Sequence, residues 1–147
     1  MKITAKWNEK LSLTANADGH AVVMDSKPPL GSDNGMTPKQ MVVAGLCGCT
    51  AMDVIALMKK YKQPLESFEI EAEVTMSEEG HPIVFKTIAL TFKLVGSLEE
   101  AKVTESVRLS QTKFCGVSAM LSKSVPISYR IELNGRIIGN GKAEFAV

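Results

Sequence analysis

The sequence predicts an α+β domain, on three observations. Short alternating apolar–polar runs open and close the chain, a long segment near residue 40 is apolar or small at nearly every position, and strand patterns precede and follow helical ones without regular exchange. The chain has 147 residues, of which 45% are hydrophobic and 22% charged, ordinary values for one globular domain with its own core. A net charge of +1 gives no electrostatic reason to expect nucleic acid or an anionic membrane as partner.

The first third alternates as Ile3, Ala5, Trp7, then Leu11, Leu13, Ala15, then Ala21 and Val23, with Asn8-Glu9 and Asp18-Gly19 as breaks. This reads as a strand meander. Residues 27–35, Lys-Pro-Pro-Leu-Gly-Ser-Asp-Asn-Gly, form a loop by composition.

Then the period changes. Thr37 is placed as an N-cap, Pro38 takes the first helical position, and Gln40 closes a capping box. The helix can run to about Lys62, ahead of Pro64, with Lys59, Lys60 and Lys62 complementing the dipole at its C-terminal end. From Met41 to Met52 it is apolar or small on every side, so it is expected to be buried all round. Its length approaches that of a membrane span. Asp53 lies within it, however, and a central Asp costs roughly 3 kcal/mol on insertion scales. A buried central helix is therefore the expectation.

Phe68 to Met76 alternates with Glu69, Glu71 and Glu73, giving one wet and one buried face. Ile83 to Val95 pairs with it across residues 77–82. A second helix is expected near residues 98–111 and a short one near 116–123. Strands at 127–133 and 136–145 flank Asn134-Gly135, a strong hairpin signal.

The sequence offers no phosphate-cradling glycine loop and no His-x-x-x-His or Cys-x-x-Cys spacing. His20 and His81 fall in turns and read as solvated. Cys47 and Cys49 are two apart on a helix, about 200° around it, which argues against one metal ion taking both. The N-terminus lacks the apolar run of an export signal. A reducing, cytoplasmic setting is therefore expected, in which three cysteines are not a structural disulfide framework. Thiol chemistry remains. Cys49 sits mid-helix and has no help from a helix N-terminus, whereas Cys115 opens the short helix, where the dipole favours thiolate. On the residues alone, a mid-helix Cys such as Cys49 is more often an inert core thiol than a nucleophile.

Two segments carry a resemblance. Residues 37–53, Thr-Pro-Lys-Gln-Met-Val-Val-Ala-Gly-Leu-Cys-Gly-Cys-Thr-Ala-Met-Asp, resemble the Pro-led central helix of the OsmC/Ohr family. Residues 110–118, Ser-Gln-Thr-Lys-Phe-Cys-Gly-Val-Ser, resemble its second cysteine segment, and residues 17–20 and 81–85 fit as well. The resemblance spans nearly the whole chain as a single OsmC-like domain. It implies antiparallel sheets wrapped around long central helices in an intertwined homodimer.

It further implies a thiol peroxidase that reduces organic hydroperoxides in oxidative-stress defence. Cys49 is the implied nucleophile and Cys115 the resolving thiol, with no bound cofactor and an external dithiol, lipoyl-type in the best-known branch, as reductant. Cys47 is left as a packing residue.

In the organic-hydroperoxide branch an Arg from the N-terminal strands pairs with a Glu early in the central helix. Ala17 and Lys39 stand at those positions, so both halves of the pair are missing, and the first Arg in the chain is Arg108. An unassisted thiol of pKa about 8.5 is only about 3% thiolate at pH 7, which implies slower peroxide chemistry. The alternative is a non-catalytic dimer that binds a small apolar ligand or senses redox state through the same cysteines.

Overall fold

A computed structural model describes residues 1–146. The described chain has seven strands, three α-helices and one π-helical turn, divided into two compact units, Met1–Ala44 and Gly45–Val147. The α+β expectation holds.

The first unit is a three-stranded antiparallel meander of β1 (Thr4–Trp7), β2 (Leu13–Ala17) and β3 (His20–Met24). Asp18 and Gly19, both at positive φ (50° and 81°), make the tight turn between β2 and β3, a conformation Gly adopts without steric cost. In the following loop the carboxylate of Asp25, almost wholly buried, accepts hydrogen bonds from the amides of Ser26 (2.7 Å), Ser32 (3.1 Å) and Asn34 (3.1 Å). The Ser26 amide chiefly holds this carboxyl below the usual range, against the opposing effect of burial. A Cβ on Gly31 would stand 1.9 Å from the Ser26 carbonyl oxygen, so the loop admits no side chain there.

Helix α1 (Pro38–Lys60) begins as the sequence predicts. Thr37 Oγ1 accepts from the Gln40 amide at 3.3 Å, and Gln40 Oε1 accepts from the Thr37 amide at 2.8 Å, a complete capping box. Within a single chain the burial lies on one side. Leu46, Thr50, Val54, Leu57 and Met58 are buried along one stripe, while Met52 is 74% and Ile55 48% exposed. One chain supplies cover for one face only. The helix is long and apolar enough to cross a membrane by length and composition. Its buried stripe nevertheless joins the protein core, with Leu46, Val54 and Met58 in the main hydrophobic cluster.

The second unit contains the sheet β4 (Leu65–Met76), β5 (Phe85–Gly96), β6 (Ile127–Leu133) and β7 (Arg136–Lys142), in that order. The expectation of antiparallel sheets holds for β4–β5 and β6–β7, but β5 and β6 run parallel, Ile88 opposite Ile127 through Leu94 opposite Leu133. Between them the chain crosses over through α2 (Glu100–Leu109), the π-turn (Ser110–Phe114) and α3 (Gly116–Leu121). A parallel pair requires such a crossover.

Alternation on the two central strands delivers Ile88, Leu90, Phe92 and Leu94, and Ile127, Tyr129, Ile131 and Leu133, to the core, against Val103 and Val107 of α2. Phe92 lies between Phe68 (centroids 6.3 Å, stacked) and Tyr129 (6.0 Å, edge-on). On the opposite face Lys93 pairs with Glu71 and Glu69. The β6–β7 hairpin turns on Asn134 (φ 51°) and Gly135 (φ 81°), as their dipeptide predicts.

Candidate functional site

The second unit brings Cys49 and Cys115 together. Both are free thiols, Cys115 fully buried and Cys49 partly so. Cys49 is presented by α1, one residue before the buried stripe position Thr50. Cys115 ends the π-turn and caps α3, its Sγ accepting the Ser118 amide at 3.3 Å.

The cap fits the expected helix start, but its electrostatic consequence does not. Burial pushes the Cys115 thiol above its ordinary value. The Ser118 amide acts in the opposite direction, as the Ser118 hydroxyl would with its proton turned to the sulfur, and the Cys49 thiol, within hydrogen-bonding reach, raises it further. Desolvation outweighs the single turn of helix behind the cap. Cys47, also half-buried, is pushed up by burial alone apart from a small opposing contribution of its own amide.

Four polar residues that sequence reasoning passed over form a buried cluster that reaches Cys115 through Ser118. Thr50, Ser110, Gln111 and Ser118 have no solvent exposure. The Thr50 and Ser110 hydroxyl oxygens are 2.7 Å apart, Gln111 Nε2 donates to Thr50 Oγ1 at 2.6 Å, and the Ser118 hydroxyl donates to Gln111 Oε1 at 3.1 Å. Ser110 also donates to Oδ2 of Asp53 at 2.9 Å. Burial pushes the Asp53 carboxyl up, and the Ser110 hydrogen bond moderates this. Every buried side-chain polar atom among the described residues has a partner. The π-turn places Ser110 and Gln111 side by side in this cluster, the kind of irregular turn often found at functional sites. The signal available in the sequence was Thr50 and Asp53 inside an otherwise apolar helix, four and three residues apart from neighbours that bury.

Ala17 ends β2, Lys39 lies in the first turn of α1, and His20 and His81 are exposed.

A two-thiol site lined by a buried polar cluster, on an α1 stripe against a mixed sheet, defines the class: a small α+β protein with paired cysteines. The OsmC family, described as OsmC-like protein, matches residues 31–130. The chain belongs to this family. Protein YhfA of Escherichia coli strain K12 is 34% identical over 135 residues, covering 90% of this chain and 98% of that protein. Among solved structures, an OsmC-like protein from Mycoplasma pneumoniae superposes with a TM-score of 0.79 at 19% identity, covering 90% of this chain and 95% of the other. The organic hydroperoxide resistance protein OhrB of Bacillus subtilis superposes with a TM-score of 0.63 at 23% identity, covering 90% and 96%.

Proposed function

We propose that the protein is a thiol peroxidase that reduces organic hydroperoxides, with Cys49 as nucleophile and Cys115 as resolving thiol. The observation that carries the reading is the meeting of these two thiols, from α1 and from the cap of α3, in one site. Membership of a family with relatives named for organic hydroperoxide resistance supports the substrate class.

In the first step the Cys49 thiolate attacks the distal peroxide oxygen. The O–O bond breaks, the alcohol leaves with a proton, and Cys49 becomes a sulfenic acid. The Cys115 sulfur then attacks the Cys49 sulfur. An S–S bond forms, and the sulfenic hydroxyl leaves as water with the Cys115 proton. An external dithiol restores both thiols by exchange and is itself oxidised to a disulfide. Burial of Cys115 suits this division of labour, since a thiol kept protonated is the poorer target for peroxide. Assembly as a homodimer belongs to the same proposal, supported by the exposed apolar side of α1.

The test is mass spectrometry after one equivalent of cumene hydroperoxide. The expected product is a Cys49–Cys115 disulfide in the wild type and a trapped Cys49 sulfenic acid in Cys115→Ser. Unmodified thiols at every peroxide dose would reject the peroxidase and leave ligand binding or redox sensing as the function.

A further inference from the structure

The buried polar cluster has a direction. From Asp53 to Cys115 runs one unbroken series: Asp53 Oδ2 to Ser110 (2.9 Å), Ser110 to Thr50 (2.7 Å), Thr50 to Gln111 (2.6 Å), Gln111 to Ser118 (3.1 Å), and the Ser118 amide to Cys115 Sγ (3.3 Å). A hydroxyl carries a single proton, an ionised carboxylate only accepts, and an amide side chain donates at one end and accepts at the other.

These rules fix the series. Asp53 accepts the proton of Ser110. The Thr50–Ser110 contact must then be bridged by the proton of Thr50, so the Thr50 oxygen is left to accept. Gln111 answers by turning its amide nitrogen to Thr50, which turns its Oε1 to Ser118. The Ser118 hydroxyl lies within reach of both Gln111 Oε1 and the Cys115 sulfur, and its one proton serves only one of them. With the polarity set from Asp53, that proton goes to Gln111.

We propose that Asp53, Ser110, Thr50 and Gln111 are positioning residues that hold the Ser118 hydroxyl proton away from Cys115, leaving the sulfur a single donor, the Ser118 amide. The thiolate of Cys115 is thereby denied its second hydrogen bond, and Cys115 stays a protonated thiol beside Cys49. Resting on the peroxidase reading, this deepens it: the network assigns the two cysteines their different roles, because the side chain left without thiolate support is the one that resolves. Its proton is then in place to leave with the sulfenic hydroxyl as water.

Among the described residues, Cys49 is the titratable group that faces Cys115, and Ser110 is the hydrogen-bond partner that acts on Asp53. The test therefore uses the full chain with Cys47→Ala and Cys49→Ala, and follows the Cys115 Cβ by carbon NMR across a pH titration. No peroxide is present, so failure of the peroxidase reading leaves this result intact, and the reverse also holds.

Gln111→Met, which fills the same space without an acceptor for Ser118, is expected to lower the Cys115 midpoint by about half a unit to one unit, the worth of one added hydrogen bond. Ser118→Ala alone is expected to leave the midpoint in place, because the hydroxyl proton was never on the sulfur. Ser118→Ala combined with Gln111→Met returns the midpoint to the parent value. Where Gln111→Met fails to fold, Ser110→Ala serves. It frees Thr50 to donate to a flipped Gln111, which releases the Ser118 proton, so it also lowers the midpoint, and Ser118→Ala again cancels the shift. A Ser118→Ala variant with a raised midpoint, or an unmoved midpoint in the folded Gln111→Met or Ser110→Ala protein, overturns the proposal.

Discussion

The hydroxyl of Ser110 donates to Oδ2 of Asp53 across 2.9 Å and ties the π-turn to the C-terminal half of α1. This one contact carries a charge into an apolar helix, and its cost depends on pH. Burial raises the Asp53 carboxyl above its ordinary value of 3.8, with the Ser110 hydrogen bond opposing. A carboxyl raised in the folded state holds its proton where the unfolded chain has released it. Its contribution to stability is therefore full below the ordinary value and is lost as pH rises through the folded one. Asp53→Asn keeps an acceptor for Ser110 but cannot ionise. Urea midpoints at about pH 4 and about pH 7 should show the variant gaining on the wild type as pH rises. A variant that loses ground over that range would mean the carboxylate is stabilised in the fold.

Phe92 is fully buried between the rings of Phe68 and Tyr129 at the centre of the mixed sheet. Phe92→Ala removes a ring from a packed core and should cost about 3–5 kcal/mol in urea unfolding. A loss below about 1 kcal/mol would show that the site collapses to fill the space.

Thr37 and Gln40 satisfy each other's amides at the start of α1. Thr37→Ala should therefore cost about 1 kcal/mol, while Thr37→Ser, which keeps the oxygen, should cost much less. Equal losses in the two variants would place the effect in the methyl group rather than the cap.

Met52 and Ile55 leave an apolar side of α1 in water, and a second copy of the chain is the proposed cover. An obligate interface buries more than about 2,000 Å². Sedimentation equilibrium at micromolar concentration should give twice the chain mass, and Met52→Glu should shift the distribution toward single chains. A wild type that sediments as a single chain rejects the homodimer.

Local chemistry made much of this fold legible. The Thr37–Gln40 cap, the Asn134-Gly135 hairpin and the helix start at Cys115 are each decided by neighbouring residues, and each stands where its signal lies. The parallel pairing of β5 with β6 was not legible, because strand direction is set by the crossover and leaves no mark in the alternation of either strand. Gln111 reads as a surface residue by type, and only the π-turn and its partners Thr50 and Ser118 make its full burial tolerable. For α1, composition counts apolar positions but does not say which chain covers Met52. Both cysteines stand out in the sequence by their residue type, but the buried chain between Asp53 and Cys115 is a product of tertiary contact between segments about sixty residues apart in sequence.

The parallel crossover also orders events in time. Cys49 leaves the ribosome long before Cys115, and the segment bearing Cys115 is strung between β5 and β6. Until β6 has been synthesised and has docked beside β5, nothing anchors the far end of that segment, and such non-local pairing forms late. A nascent chain therefore carries Cys49 for many residues without its counterpart, exposed to whatever oxidant the surroundings hold. Translation speed through residues 97–133 sets the length of that exposure.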